Sequence, residues 1–211
     1  MVKSYDELNE KHLDVLCELG NIGAGNAATA LSVLLDEGVS IDVPQVMLLE
    51  YNDVIHMIGD PEELGIAIMI HYTGEVEGLV LFLLNYEDAK GIAEILIADI
   101  GEVHEEPGEK GFSDLKLSTI KEIGNIMGCS YLSSISMLTG LDLRLSIPSV
   151  SVDMVGAIMS VPMLEFSIGN SNIILIEGNL KTSSRNLKSH VLLFANVPSL
   201  NRILTELGIE T

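Results

Sequence analysis

Glu18-Leu-Gly-Asn21, with twenty-two residues between Asn21 and Pro44, returns 104 positions downstream as Glu122-Ile-Gly-Asn125 with Pro148. Asp14 stands four residues before the first Glu, and Ser118 four before the second. Aligning residues 13–46 with 117–150 needs no gap, and 9 of the 34 positions are identical: Leu13, Glu18, Gly20, Asn21, Ile22, Ser32, Leu34, Pro44 and Val46. Apolar identities follow from a shared need for a core. Glu18/Glu122 and Asn21/Asn125 have no such origin, because exposed polar positions without a role have no physical reason to match between halves whose other surface positions differ. The chain therefore reads as a duplicated unit carrying two sites of one kind.

At about 100° per residue, helix positions i, i+4 and i+7 lie within roughly 60° of one another. Asp14, Glu18 and Asn21 form one polar stripe, and Ser118, Glu122 and Asn125 the equivalent one. The neighbouring Leu16, Leu19, Ile22, Ile120, Ile123 and Ile126 point elsewhere, so both stripes are expected at the surface. Gly20 and Gly124 are poor helix formers, and two uses compete for them. A missing side chain lets either a partner approach the adjacent Asn or a sheet pack closely beneath the helix. Pro44 and Pro148 are expected to open the strand after each helix, where a missing amide donor is tolerated.

Around these stripes the chain alternates helical and extended patterns. Ser4 and Glu7 have the form of a capping box before an apolar series running from Leu8 to Leu34, with Gly38 as a stop. Ser113 is placed to cap a second helix that ends at Gly140, with Phe112 and Leu117 spaced for a hydrophobic staple. Strands are expected over residues 46–58, 65–73 and 76–84, then over 150–159, 163–168, 172–180 and 188–196. The breaks at 73–75 and 169–171 read as hairpin turns. Residues 86–100 and 198–207 read as closing helices. Asn85 and Asn196 are offset by 111, which gives the second half about seven extra residues, assigned to 182–187. The expected class is α+β: one domain of two repeats, 4–101 and 112–211, joined by the Gly- and Pro-punctuated segment 102–111.

Composition narrows the function. Hydrophobic residues make up 47% of the 211, and mean hydropathy is +0.39, so a packed core forms. A formal charge of -20 repels phosphate backbones and anionic headgroups, which argues against nucleic-acid binding. The longest apolar run, residues 79–84, is far short of the roughly 20 residues of a membrane helix, and the polar start lacks a signal-peptide core. A cytoplasmic protein without membrane insertion is expected. Cys17 and Cys129 read as buried or half-buried thiols. The five histidines lack ligand spacing, so no metal site is expected. Gly23-Ala-Gly25-Asn-Ala-Ala28 matches a dinucleotide fingerprint in letters only, because it continues a helix and does not follow a buried strand.

An Asn amide is a poor acid or base but a good two-sided hydrogen-bonding group, able to hold and orient a water. A Glu three residues earlier can fix an incoming cation through a charge-assisted bond. With neither nucleophile nor metal cage, such a pair completes an active site that another protein brings.

This spacing resembles the signature of the CheC, CheX and FliY phosphatases of chemotaxis, and the duplicated layout is most similar to the CheC branch. The resemblance implies a pseudo-twofold fold of long helices packed on antiparallel sheet. It implies hydrolysis of the phosphoaspartate of a CheY-like response regulator, with no cofactor of the chain's own, because the regulator supplies the acyl phosphate, its Mg2+ and a Lys. Asn21 and Asn125 would each orient the attacking water, and Glu18 and Glu122 would each bind the regulator's Lys. Asp14 and Ser118 would support that contact. The family also implies a CheD-like receptor deamidase as second partner. The competing reading is a non-catalytic adaptor that uses the same stripes to hold the regulator or the deamidase.

Overall fold

The computed structural model of the protein describes residues 5–98, 108–166, 172–182 and 186–209. Helix α1 (Glu10–Leu34) is followed by β1 (Ser40–Glu50), α2 (Tyr51–Ile58), the hairpin β2 (Leu64–Gly74) and β3 (Gly78–Asn85), and α3 (Tyr86–Ala98). The series then repeats as α4 (Asp114–Thr139), β4 (Leu143–Leu145), β5 (Ser149–Met154), α5 (Val155–Phe166), the hairpin β6 (Asn172–Lys181) and β7 (Asn186–Ala195), and α6 (Val197–Glu206). The class is α+β, as expected.

Local chemistry sets the helix ends. α1 starts later than a Ser4 cap requires, and Ser4 lies outside the described residues. Its N-cap is Asn9, whose side chain accepts from the Lys11 and His12 amides, while His12 Nδ1 accepts from the Asn9 amide at 3.0 Å. The reciprocal box therefore uses His where Glu was expected. Gly38 is not the stop either: Leu35 caps α1, and Asp36 takes the left-handed turn at φ 49°. α4 matches its reading, with Ser113 accepting from the Lys116 amide and Gly140 left-handed at φ 73°.

The seven strands form one sheet in the order β1-β6-β7-β3-β2-β4, with β5 also on β2, and every pairing is antiparallel. Exchanging each strand for its counterpart in the other half (β1 for β4/β5, β2 for β6, β3 for β7) returns the same order. Each half thus gives its first strand to the other half's hairpin. Side chains alternate between two layers. Ile66, Ile68, Ile70, Val80, Phe82, Ile174, Ile176, Val191 and Leu193 pack under α1, α3, α4 and α6. Ala67, Leu79, Leu81, Leu83, Ile173, Leu175, Leu192 and Phe194 face α2 and α5. β3 is covered on both sides, which is why residues 79–84 form an unbroken apolar run.

That second helical layer overturns three strand expectations. Residues 46–58 leave the sheet at Glu50 and continue as α2, the expected strand 150–159 ends at Met154, and residues 163–166 of the expected strand 163–168 belong to α5, with 167–168 outside the described residues. The hairpin assigned to 169–171 therefore fails, since a helix precedes it; those turn residues lie outside the described set. The cause is composition. α5 buries Val155, Ile158, Met159 and Pro162 while exposing Val161 and Leu164, so no polar face marks a helical period. Most of the joint 102–111, and residues 183–185 of the proposed insertion, also fall outside the described residues.

Both long helices turn glycines toward the sheet, and only in α4 does the seat require them. A Cβ at Gly124 would collide with Ile68 Cγ2, and one at Gly128 with Ile70 Cδ1, both on β2. A Cβ at Gly20 would meet Val43 and Ile176 at 3.5 Å, an ordinary contact. Between the helices, Gly23 admits Tyr131, and Asn26 Nδ2 donates to Ser134 Oγ at 3.2 Å.

Gly124→Ala is expected to lose about 1–3 kcal/mol as Ile68 is forced aside, whereas Gly20→Ala stays within about 1 kcal/mol of wild type. Urea unfolding measures both, and equal losses would contradict the unequal seating. Fragments 1–107 and 108–211, each lacking the strand supplied by the other, are expected to show no cooperative thermal transition alone and to regain one when mixed. A transition in the isolated 1–107 fragment would sink the interlocked sheet.

Candidate functional site

The helix period and the glycine seats leave one direction for the polar residues. Leu16, Leu19, Gly20 and Gly23 of α1 are buried, as are Ile120, Ile123, Gly124 and Met127 of α4. Asp14, Glu18 and Asn21 are exposed on the opposite side, and so are Ser118, Glu122 and Asn125. Among the described residues the carboxylates of Asp14, Glu18 and Glu122 engage in no hydrogen bond or ion pair. Such groups are accessible to a partner without first breaking an internal contact.

The glycines resolve in favour of packing. Gly20 and Gly124 face the sheet and are buried, so they are not gaps through which a partner reaches Asn21 or Asn125. They act on the stripes from below, by fixing which face is up. Pro148 immediately precedes β5, as expected, and is buried. Pro44 does not open a strand but lies within β1, where the register with β6 slips between Asp42 and Gln45. A residue without an N–H produces a bulge in one copy and a complete break, residues 146–148, in the other.

The second stripe lies in a surface groove of ≈ 540 Å³ that brings Ser118, Glu122, Asn125 and Pro148 together with Lys121, Cys129 and the loop residues Leu145, Ser146 and Ile147. None of the first-stripe residues lines this groove, so the two copies make separate sites. Lys121, Ser146 and Ile147 were not anticipated. Lys121 was within reach of a sequence reading, three residues after Ser118 and four before Asn125 on the same face. Ile147 was not, because an apolar residue before a proline reads as the start of a buried strand.

Each Asn has a sulfur neighbour. Asn21 Nδ2 donates to Cys17 Sγ at 3.7 Å, and Cys17 Sγ reaches the Val43 carbonyl at 3.9 Å. Cys129 Sγ donates to Asn125 Oδ1 at 3.7 Å. Cys17 is half-buried as expected, whereas Cys129 is exposed, a correction that follows from its place on the stripe at i+4 from Asn125. Burial, reinforced by the Asp14 and Glu18 carboxylates, pushes the Cys17 thiol above its ordinary range. A thiol so held is a poor nucleophile. The stripes therefore offer an exposed amide, a group able to orient a water, beside an exposed carboxylate, a group able to bind a cation. Among the described residues no three His, Cys, Asp or Glu side chains converge as metal ligands do, and no helix is long and apolar enough to cross a membrane.

Comparison with known proteins matches the same two segments. The sequence profile of the CheC-like family fits residues 12–48 and 115–152. The chain is 29% identical over 206 residues to the CheY-P phosphatase CheC of Bacillus subtilis (strain 168), covering 97% of both chains. Its fold is similar to the crystal structure of Thermotoga maritima FliY, with a TM-score of 0.74 at 23% identity over 96% of this chain and 98% of that one. A chain of the CheX-CheY-BeF3-Mg+2 complex from Borrelia burgdorferi superposes with a TM-score of 0.51 at 15% identity, over 82% of this chain and 95% of that one.

The two thiols are expected to separate by reactivity. At neutral pH iodoacetamide labels exposed Cys129 roughly fivefold faster than Cys17, whose raised pKa leaves little thiolate. The gap narrows as the pH rises and Cys17 ionises. A peptide mass-spectrometric time course reads both sites, and equal rates at neutral pH would contradict the environments described.

Proposed function

We propose, from its likeness to the CheC-like family, that this chain is a phosphatase acting on the phosphoaspartate of a CheY-like response regulator in the cytoplasm. The observation that carries the reading is the pair of outward-facing stripes, each with an uncommitted carboxylate three residues before an amide. The family likeness supports the substrate class, and the stripes support this way of serving it.

The chemistry is completion of a partner's site. When the regulator docks, its acyl phosphate meets Asn21 or Asn125, whose amide holds a water in line with the phosphorus. The water oxygen forms a bond to phosphorus as the bond from phosphorus to the aspartyl oxygen breaks. The products are a free carboxylate and inorganic phosphate, and the water's proton passes to phosphate or solvent. Glu18 or Glu122 accepts a charge-assisted hydrogen bond from the regulator's Lys and holds the docked surfaces in register, while Asp14 or Ser118 supports the contact. Catalysis is then mostly positioning and electrostatics, which suits phosphoryl transfer because the protein has little covalent work to do. The regulator's own Mg2+ supplies charge neutralisation at the phosphoryl group. The same family reading extends the partners to a CheD-like receptor deamidase.

The double variant Asn21→Ala with Asn125→Ala is expected to reduce the acceleration of phosphoregulator decay by about 10²-fold or more, with an unchanged unfolding midpoint, since both side chains are exposed. Substoichiometric wild-type protein should clear an excess of phosphorylated regulator. Retained activity in the double variant would refute the water-positioning role, and protection limited to one regulator per chain would favour an adaptor.

A further inference from the structure

Lys121 and Ile147 flank the second stripe, and at their aligned positions the first copy has neither a cation nor an exposed apolar side chain. In the gapless register Lys121 stands where the first copy has Cys17, Ser146 where it has Asp42, and Ile147 where it has Val43. Val43 is 5% exposed, inside β1 beneath α1. Ile147 is 89% exposed in the break between β4 and β5. That break is anchored on both sides of the side chain. The Ser146 amide donates to the His71 carbonyl at 2.8 Å, the His71 amide donates to Ser146 Oγ at 3.0 Å, and Pro148 is buried. Ile147 is therefore held out into water by its neighbours.

Single exposed apolar residues are common and need no explanation. Ile147 differs because it lines the same groove as Glu122 and Asn125. Charge separates the copies in the same sense. The first stripe presents two carboxylates, Asp14 and Glu18, against one lysine on the same face, Lys11, and Asp42 is compensated by Lys181 at 2.7 Å. The second presents Ser118, with Lys121 beside Glu122, on a chain of net charge -20. An anionic phosphoryl group approaching this chain is repelled less at the second stripe, and a desolvated aliphatic side chain at the rim is a common way to hold such an encounter.

We infer that Ile147 and Lys121 are docking determinants of the second site, Ile147 as an apolar anchor on the phosphorylated regulator and Lys121 as the cation facing its acidic phosphoryl-bearing surface. The inference rests on the phosphatase reading for its substrate. Its consequence is that the second site binds the regulator more tightly than the first.

Single-site backgrounds test this. With Asn21→Ala, which leaves only the second site, Ile147→Ser is expected to raise KM about tenfold while kcat stays within twofold. In that background Lys121→Glu should raise KM and remove its increase with salt. With Asn125→Ala, which leaves only the first site, both substitutions should move KM by less than twofold. Val33→Ser, removing an 81% exposed side chain elsewhere on α1, serves as the control for loss of an apolar surface residue. An unchanged KM for Ile147→Ser in the Asn21→Ala background, or equal rises in both backgrounds, overturns the inference. Equilibrium binding of beryllofluoride-activated regulator keeps the two readings apart. Binding that depends on Ile147 without accelerated decay would sink the phosphatase reading alone. Accelerated decay with binding indifferent to Ile147 would sink the docking inference alone.

Discussion

The close seating of α1 and α4 on the sheet is the constraint from which the rest of the molecule follows. Gly124 lies against Ile68 and Gly20 against Ile176 and Val43, and each glycine stands one residue before an Asn and two after a Glu. On a helix those offsets turn Asn by about 100° and Glu by about 200° from the glycine. A face that must lie flat on β-branched side chains therefore compels the Glu and Asn to turn outward. One four-residue motif supplies both the contact that holds the helix down and the groups the helix displays. In α4 the contact is tighter, because Gly128 repeats it one turn later against Ile70.

The sheet that receives these helices is shared between the halves. β1 pairs with β6, and β4 and β5 pair with β2, so neither half closes its own sheet edge. The exchange puts α1 over strands from both halves, and it lets α1 and α4 pack together through Gly23, Tyr131 and the Asn26–Ser134 hydrogen bond. A duplicated sequence joined this way gains a rigid platform under both stripes. It also gives up independence, since a perturbation of one hairpin is felt beneath the other half's first strand.

Duplication copies the chemistry and leaves the surroundings free to diverge. Glu and Asn are common to both stripes, whereas the flanking positions pair Cys17 with Lys121, Gly25 with Cys129 and Val43 with Ile147. The proline shared by both copies contributes to that divergence. In the first copy the strand absorbs Pro44 as a bulge and continues, which keeps Val43 in the core. In the second the strand breaks at residues 146–148, and the same position becomes a rim residue.

The sequence by itself determined the duplication, the two long helices, the hairpin β2–β3, the strands β6 and β7 one by one, the closing helices and the outward stripes. These depend on periodicity and on spacing within one element, which local steric and capping rules dictate. Packing decided what local pattern left open. α5 read as a strand because a helix with apolar residues on most sides has no period to betray it, and α2 because eight residues are too few to declare one; only the sheet face needing cover makes them helices. The exchange of first strands, the burial of Gly20 and Gly124, the exposure of Cys129 and the projection of Ile147 likewise became definite only in the tertiary structure. Each depends on residues far apart in the chain coming into contact, and a side chain's burial belongs to that contact and not to its own identity.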